Sequence, residues 1–225
     1  MFNIFDQLIY SLKNIHYFLP AVVICMTIHE WAHAFVAYKL GDYTAKNEGR
    51  LSLNPLKHID PIGAVFLLIF RFGWAKPVPI RTGYFSNPKR DMALTALSGP
   101  LANFMLAIAI FPLYTVFTIM HMNLSLSGIV GAVFYYFSTL LLQIVVYNIV
   151  FGVFNLIPFP PLDGSRLLMY FLPPRATVAL MQFERYSFIV LIVLMNSGVF
   201  DFIQGIIGFF ASNYIKLAFT IASLF

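Results

Sequence analysis

The chain has 225 residues, of which 60% are hydrophobic and 10% charged, and its mean hydropathy is +0.82, whereas an ordinary soluble domain carries roughly 25% charged residues. Soluble, secreted, disordered and fibrous classes fall away together, and at about 20 residues per span there is room for membrane helices but not for a separate soluble domain. The single cysteine, Cys25, excludes an internal disulfide and any multi-cysteine zinc module, and the net charge of +5 reads as loops facing anionic lipid rather than a nucleic-acid surface.

The first long apolar run covers residues 15–38 and is interrupted by His29, Glu30 and His33. It is long enough to span, and the absence of a short apolar core followed by a small-residue cleavage site predicts that it is retained. Residues 39–91 differ, because nine of the 14 basic residues and four of the acidic ones fall there among repeated Gly and Pro, the composition of an ordered loop region. Within it, residues 61–72 are apolar but too short for an ordinary span, which predicts a re-entrant or interfacial element. Leu51-Ser52-Leu53 and Val78-Pro79-Ile80 read as short strands, with Pro79 suited to a sheet edge. Two further apolar runs, 92–120 and 128–157, are joined by residues 121–127, which hold no Lys or Arg. The positive-inside rule then places 39–91 in the cytoplasm and puts 121–127 and the amino terminus outside. A Pro-rich segment with Asp163, Arg166 and Arg175 follows, and apolar runs at 187–199 and 202–225 complete the chain. The expected fold is an all-α polytopic membrane protein of about 4–6 transmembrane helices, with short re-entrant or β elements after the first. It is expected to be a single domain over 1–225, with a catalytic core at 15–170 and C-terminal helices at 176–225.

Ionisable groups inside a span cost about 2.5–3.5 kcal/mol each on insertion scales, so His29-Glu30-Trp31-Ala32-His33 calls for a purpose. Residues four apart share a helical face, which lets both imidazoles converge on one metal ion, while Glu30, about 100° further round, can address a water there. This is the H-E-x-x-H zincin pattern. Imidazole suits zinc, and a catalytic zinc site takes three protein ligands. The competing reading, two interhelical hydrogen-bonding imidazoles and a Glu paired with a loop Arg, leaves three polar groups opposing insertion. Among candidates for a third ligand, Glu48, Asp60 and Asp91 lie in the charged loop, where solvation or pairing with Lys and Arg accounts for them. Asp163 lies where Pro158, Pro160 and Pro161 must break the preceding helix and turn the chain back at membrane depth; its competing role is an N-cap for Ser165 onward. Cys25 reads as a small buried hydrophobe, His58 as structural, and Asn103 and Asn148 as interhelical hydrogen-bonders.

HEWAH and Asn155-Leu-Ile-Pro-Phe-Pro-Pro-Leu-Asp163-Gly164 resemble, in residue type, spacing and order, the HExxH and NxxPxxxxDG signatures of the site-2 proteases, which are intramembrane zinc metalloproteases. Ser98-Gly99-Pro100-Leu101-Ala102-Asn103 is similar to the family's SGPxxN-type element. The stretch from Gly49 to Pro61 reads like compact bacterial and archaeal members without PDZ or CBS domains. The resemblance covers roughly residues 20–170. It implies His29, His33 and Asp163 as ligands of a Zn2+ ion and Glu30 as general base. Asn155 and, in the second rank beside it, Asn103 are implied as polar groups that stabilise the oxyanion or position substrate. The implied activity is hydrolysis of peptide bonds in or near transmembrane segments of membrane-anchored proteins, in a prokaryotic cell membrane with the active site toward the cytoplasm. The implied partners are protein substrates and the bilayer, not nucleic acid. Two rivals make different demands: an ion or proton transporter would spread its polar residues over several spans, and an inactive relative that binds membrane proteins would have no need of Glu30 beside a full ligand set.

Overall fold

The computed structural model describes residues 13–70, 73–123 and 128–186, together with isolated positions between 205 and 221. Helix α1 runs Ile15–Lys39, about 37 Å at 1.5 Å per residue. It ends where Gly41 adopts φ +106°, a backbone state that side chains with a Cβ disfavour. The loop that follows holds a single turn, α2 (Thr44–Asn47), and a ten-residue helix, α3 (Pro61–Phe70). Next come the long helices α4 (Pro88–Asn123) and α5 (Gly128–Asn155), then the short helices α6 (Asp163–Phe171) and α7 (Pro174–Phe183). Among the described residues, α1, α4 and α5 are long and apolar enough to cross a membrane. The runs expected at 187–199 and 202–225 lie outside the continuously described residues.

Burial is inverted relative to a water-soluble bundle. On α4, Asn103 and Thr95 are fully buried while Met105 and Ile108 stand about 70% exposed; on α5, Asn148 is fully buried and Ile129 is 84% exposed. Lipid solvates the apolar outside, so the helices gain little by hiding it, and small residues and polar bonds join them beside apolar contacts such as Ala107 against Val145 and Ile149. Ala21, Ala34 and Ala37 on α1 and Ala96 and Ala107 on α4 are the small buried residues that let the backbones approach. Helix α4 is the hub, packing on α5, α1 and α6.

The loop after α1 departs from expectation at the two predicted strands. Among the described residues no strand forms, and the only β pairing is a single bridge between Ile59 and Ala75. In the second stretch the donors at Val78 and the adjoining Arg81 are already committed. Pro77 and Pro79 have none, Val78 N–H donates to Glu30 Oε2 (2.9 Å), and Arg81 N–H donates to Asp42 Oδ2 (2.6 Å). In the first, Ser52 C=O accepts from His58 Nε2 (2.7 Å) and Ser52 Oγ from Asn54 N–H (3.1 Å), so side chains take the place of a ladder. Helix α3, about 15 Å long, packs Leu67 against Phe18 and Val22 of α1 and leaves Ile62 and Val65 more than half exposed. Its length is half of what a span requires.

Helix α6 runs back along α4. Its first residue, Asp163, reaches His33, whose ring bonds to Thr95 of α4, and the carbonyl of Leu172 just past its end accepts from Lys89 Nζ (2.8 Å) in the first turn of α4. It therefore leads from the level of the buried histidines toward the basic end of α4.

Candidate active site

His29, Glu30 and His33 all point to the buried side of α1, at 3%, 9% and 6% exposure. The orientation of each imidazole follows from its partners. Asn103 Nδ2 on α4 donates to Asn148 Oδ1 on α5 (2.8 Å) and to the Cys25 carbonyl (3.1 Å). A carbonyl only accepts, so Asn103 presents Oδ1 to His29 Nδ1 at 2.7 Å, and that nitrogen must carry the proton. Asn148 is oriented in turn by its own donation to the Ile144 carbonyl (2.8 Å). His33 Nδ1 donates to the Thr95 carbonyl (2.8 Å).

A neutral imidazole protonated at Nδ1 has a bare lone pair on Nε2. The two Nε2 atoms face each other at 3.0 Å, and Asp163 Oδ2 lies 3.0 Å from one and 3.2 Å from the other. That oxygen is buried and receives no hydrogen bond. Three electron-rich atoms thus converge with no proton between them, an arrangement that repels itself unless a cation lies among them. A tetrahedral zinc with bonds of 2.0–2.2 Å to nitrogen and oxygen separates its ligands by about 3.3 Å, so edges of 3.0–3.2 Å fit that ion. Asp163 supplies the carboxylate oxygen of this donor set, beside one ring nitrogen from each histidine.

Backbone packing sets these positions. Asp163 is the first residue of α6 after Leu162, and no side-chain cap bond forms there, so its carboxylate is not taken up as an N-cap. A Cβ at Gly164 would fall 2.3 Å from the Leu156 carbonyl and 2.4 Å from that of Ile157, so α6 begins pressed against the turn that leaves α5. A Cβ at Gly99 would fall 2.5 Å from His33 Nε2 and 2.6 Å from His29 Cε1; α4 lies flat against the imidazoles, with space for glycine alone. Phe151 of α5 closes the other side of His29, ring to ring at 4.9 Å.

The triangle opens onto a cavity of about 530 Å3 lined by Glu30, Val78, Phe154, Asn155 and Arg166 among others. Glu30 is on the cavity with its Oε2 accepting from Val78 N–H. Asn155 is on it too, with Nδ2 donating to the Phe151 carbonyl (3.0 Å). Asn103 is not among the lining residues; it is fully buried behind His29. The loop acids have other partners. Asp60 Oδ1 caps α3 at Gly63 N–H (2.8 Å), Asp91 pairs with Arg90 (2.8 Å), and Glu48 is exposed. Sequence reasoning passed over Thr95 and Val78, which act through backbone atoms and leave no side-chain signal. It also passed over Arg166 and Glu184 on the cavity, although Arg166, three residues after Asp163, was within reach of the helical-face argument.

The family model for Peptidase family M50 matches residues 17–197. A Bacillus subtilis (strain 168) protein named "Putative zinc metalloprotease YwhC" is 40% identical over 187 residues, which cover 83% of this chain and 83% of its own length. A Mycolicibacterium smegmatis protein named "Putative zinc metalloprotease Rip2" is 31% identical over 176 residues, 76% of this chain and 62% of its own length. The Mycobacterium tuberculosis H37Rv protein of the same name is 28% identical over 179 residues, covering 76% and 63%, so the chain spans somewhat less than two thirds of these two relatives. No solved structure matches it. With all three converging atoms, Glu30 and the cavity inside the matched stretch, the chain belongs to Peptidase family M50.

Proposed function

We propose that this chain is an intramembrane zinc metalloprotease that hydrolyses peptide bonds in or near transmembrane segments of membrane-anchored proteins. The observation that carries the reading is the triangle of His29 Nε2, His33 Nε2 and Asp163 Oδ2, each within 3.2 Å of the others, with a buried carboxylate, Glu30, on the same cavity. His29, His33 and Asp163 hold the zinc. When bound, it supplies Lewis-acid polarisation of the scissile carbonyl and acidifies the attacking water. Glu30 takes the proton from that water and returns it to the leaving amine. Asn155 has a second amide hydrogen and a carbonyl oxygen available on the cavity for substrate backbone. Asn103 holds His29 rather than the substrate.

A substrate helix must be unwound to enter, because its carbonyls are bonded internally. Of the two loop stretches that could pair with an extended chain, Val78-Pro79-Ile80 lies beside the cavity, and its carbonyls are what it offers at Val78, whose N–H is engaged by Glu30, and at Pro79, which has no N–H. The single domain spans 1–225, with the catalytic core at 15–170 and C-terminal helices beyond. The concentration of Lys and Arg in 39–91 supports an active site toward the cytoplasm and an external amino terminus in a prokaryotic cell membrane.

The test is to incubate purified protein in detergent with a panel of single-span substrates, comparing the wild type, Glu30→Gln and chelator-treated samples, with zinc content measured in each. Cleavage by the wild type alone, with Glu30→Gln still holding zinc, is the expected result. Absence of cleavage throughout, with zinc bound, overturns the protease reading.

A further inference from the structure

Among the described residues, the cavity has one Lys or Arg side chain in its wall, and the chemistry above leaves it unused. Arg166 shares the wall with the carboxylates of Glu30, Asp163 and Glu184 and is the only Lys or Arg there among the described residues. It lies three residues beyond Asp163 on α6, hence on the same helical face and about 4.5 Å further along the axis. Because α6 leads from the histidine level toward the basic end of α4, Arg166 stands one turn from the metal triangle on the way out. The guanidinium is about one-third exposed and makes one bond, from Nη2 to Glu184 Oε1 at 3.1 Å, after α7. No other partner of Arg166 occurs among the described residues. A guanidinium is built to take a carboxylate through two parallel donors, and here one side-chain carboxylate holds it by a single nitrogen.

We propose that Arg166 is a carboxylate-binding subsite of the peptide cavity, with Glu184 as an internal occupant that a carboxylate of the bound peptide displaces. The inference rests on the protease reading for the presence of a peptide in the cavity. Two sources supply the same chemistry: the new C-terminal carboxylate released when the peptide bond is hydrolysed, and an Asp or Glu side chain close to the scissile bond. Either reaches Arg166 from the metal triangle across one helical turn. Among the described wall residues, Asn155 and Thr82 are neutral and the imidazoles of His29 and His33 belong to the metal triangle, so away from the metal Arg166 is the group that rewards a negative charge. Glu184 holds the guanidinium at the cavity wall while no peptide is bound.

The test reads binding rather than turnover, so that its failure is distinguishable from failure of the protease reading, which shows as uncleaved substrate. Full-length, zinc-loaded Glu30→Gln protein in detergent is titrated with two pairs of fluorescent apolar peptides. One pair ends in a free carboxylate or its amide; the other carries an internal Glu or Gln. The carboxylate member of at least one pair should bind about tenfold more tightly than its neutral twin, and the responding pair identifies the source. Glu184→Gln should widen that gap, since the competitor is gone. Arg166→Gln should abolish it while zinc content stays the same, Arg166→Lys should keep part of it, and exchanging the two charges (Arg166→Glu with Glu184→Arg) should not restore it. Equal binding of both twins by the Glu184→Gln protein, which keeps the guanidinium, overturns the proposal, as does a gap that survives Arg166→Gln. If the charge exchange recovers a thermal stability that each single variant loses and no gap exists, the pair is a structural clamp and the subsite does not exist.

Discussion

A methyl group at position 99 would lie 2.5 Å from His33 Nε2, well inside contact distance, and neither imidazole can retreat, because each is tied by Nδ1 to an oxygen on α4. Gly99→Ala is therefore expected to lower zinc affinity by about tenfold or more, read by competition with a chromophoric chelator. At the far side of His29 the argument runs through hydrogen bonds. Asn103→Leu removes the acceptor that fixes the protonated nitrogen, and outer-sphere losses of this kind cost about 10–100-fold in metal affinity; Asn148→Ala, one bond more distant, should cost less in the same assay. An equal loss for both would mean that general destabilisation, not orientation of His29, is at work. The two-His spacing was legible because a helix repeats every 3.6 residues and the membrane makes polar groups conspicuous. The place of Asn103 was not, since whether a polar residue on a neighbouring helix faces a cavity or a histidine depends on how the helices are rotated, which spacing within one helix does not encode.

Among the elements, α6 is the one whose position decides the third corner of the triangle. Its start is held by Gly164 against the carbonyls of Leu156 and Ile157, so Gly164→Ala must lift the first turn and carry Asp163 Oδ2 away from the Nε2 pair. The expected outcome is loss of zinc binding with His29 and His33 intact, while the helical content measured by circular dichroism changes little. The long helices were readable to within a few residues, since runs expected at 15–38, 92–120 and 128–157 appear as Ile15–Lys39, Pro88–Asn123 and Gly128–Asn155. The short strands were not. Alternating apolar residues look alike whether their amides face a neighbouring strand or, as at Val78 and Arg81, the carboxylates of Glu30 and Asp42, and those carboxylates lie some forty or more positions away in the chain.

For the molecule as a whole, the proposed orientation in the membrane rests on charge, and the chain lends itself to checking it. Its lone cysteine is 1% exposed and its thiol is held against the Tyr147 carbonyl, so a membrane-impermeant maleimide should leave the unaltered protein unlabelled. Glu48→Cys, in the loop rich in Lys and Arg, should react only after the cells are opened, and a cysteine placed at position 125 should react in intact cells. The reverse pattern would turn the molecule over and move the cavity to the outer leaflet. Composition made the membrane legible at this scale, because 10% charged residues cannot coat a water-facing surface. The clustering of the remaining charges is what the proposed orientation rests on, whereas contacts that need three helices at once, such as Asn103 between His29 and Asn148, had no trace in composition.

Gly99 and Gly164 bear on how this sequence can drift. Every mutation at either position adds atoms, and the atoms that would be struck are the imidazoles in one case and main-chain carbonyls in the other, none of which can move without dismantling the site. In a library saturated at each codon and selected for proteolysis, these two positions should tolerate a single amino acid, as narrowly as the histidines do, although neither glycine has a side chain with which to perform chemistry.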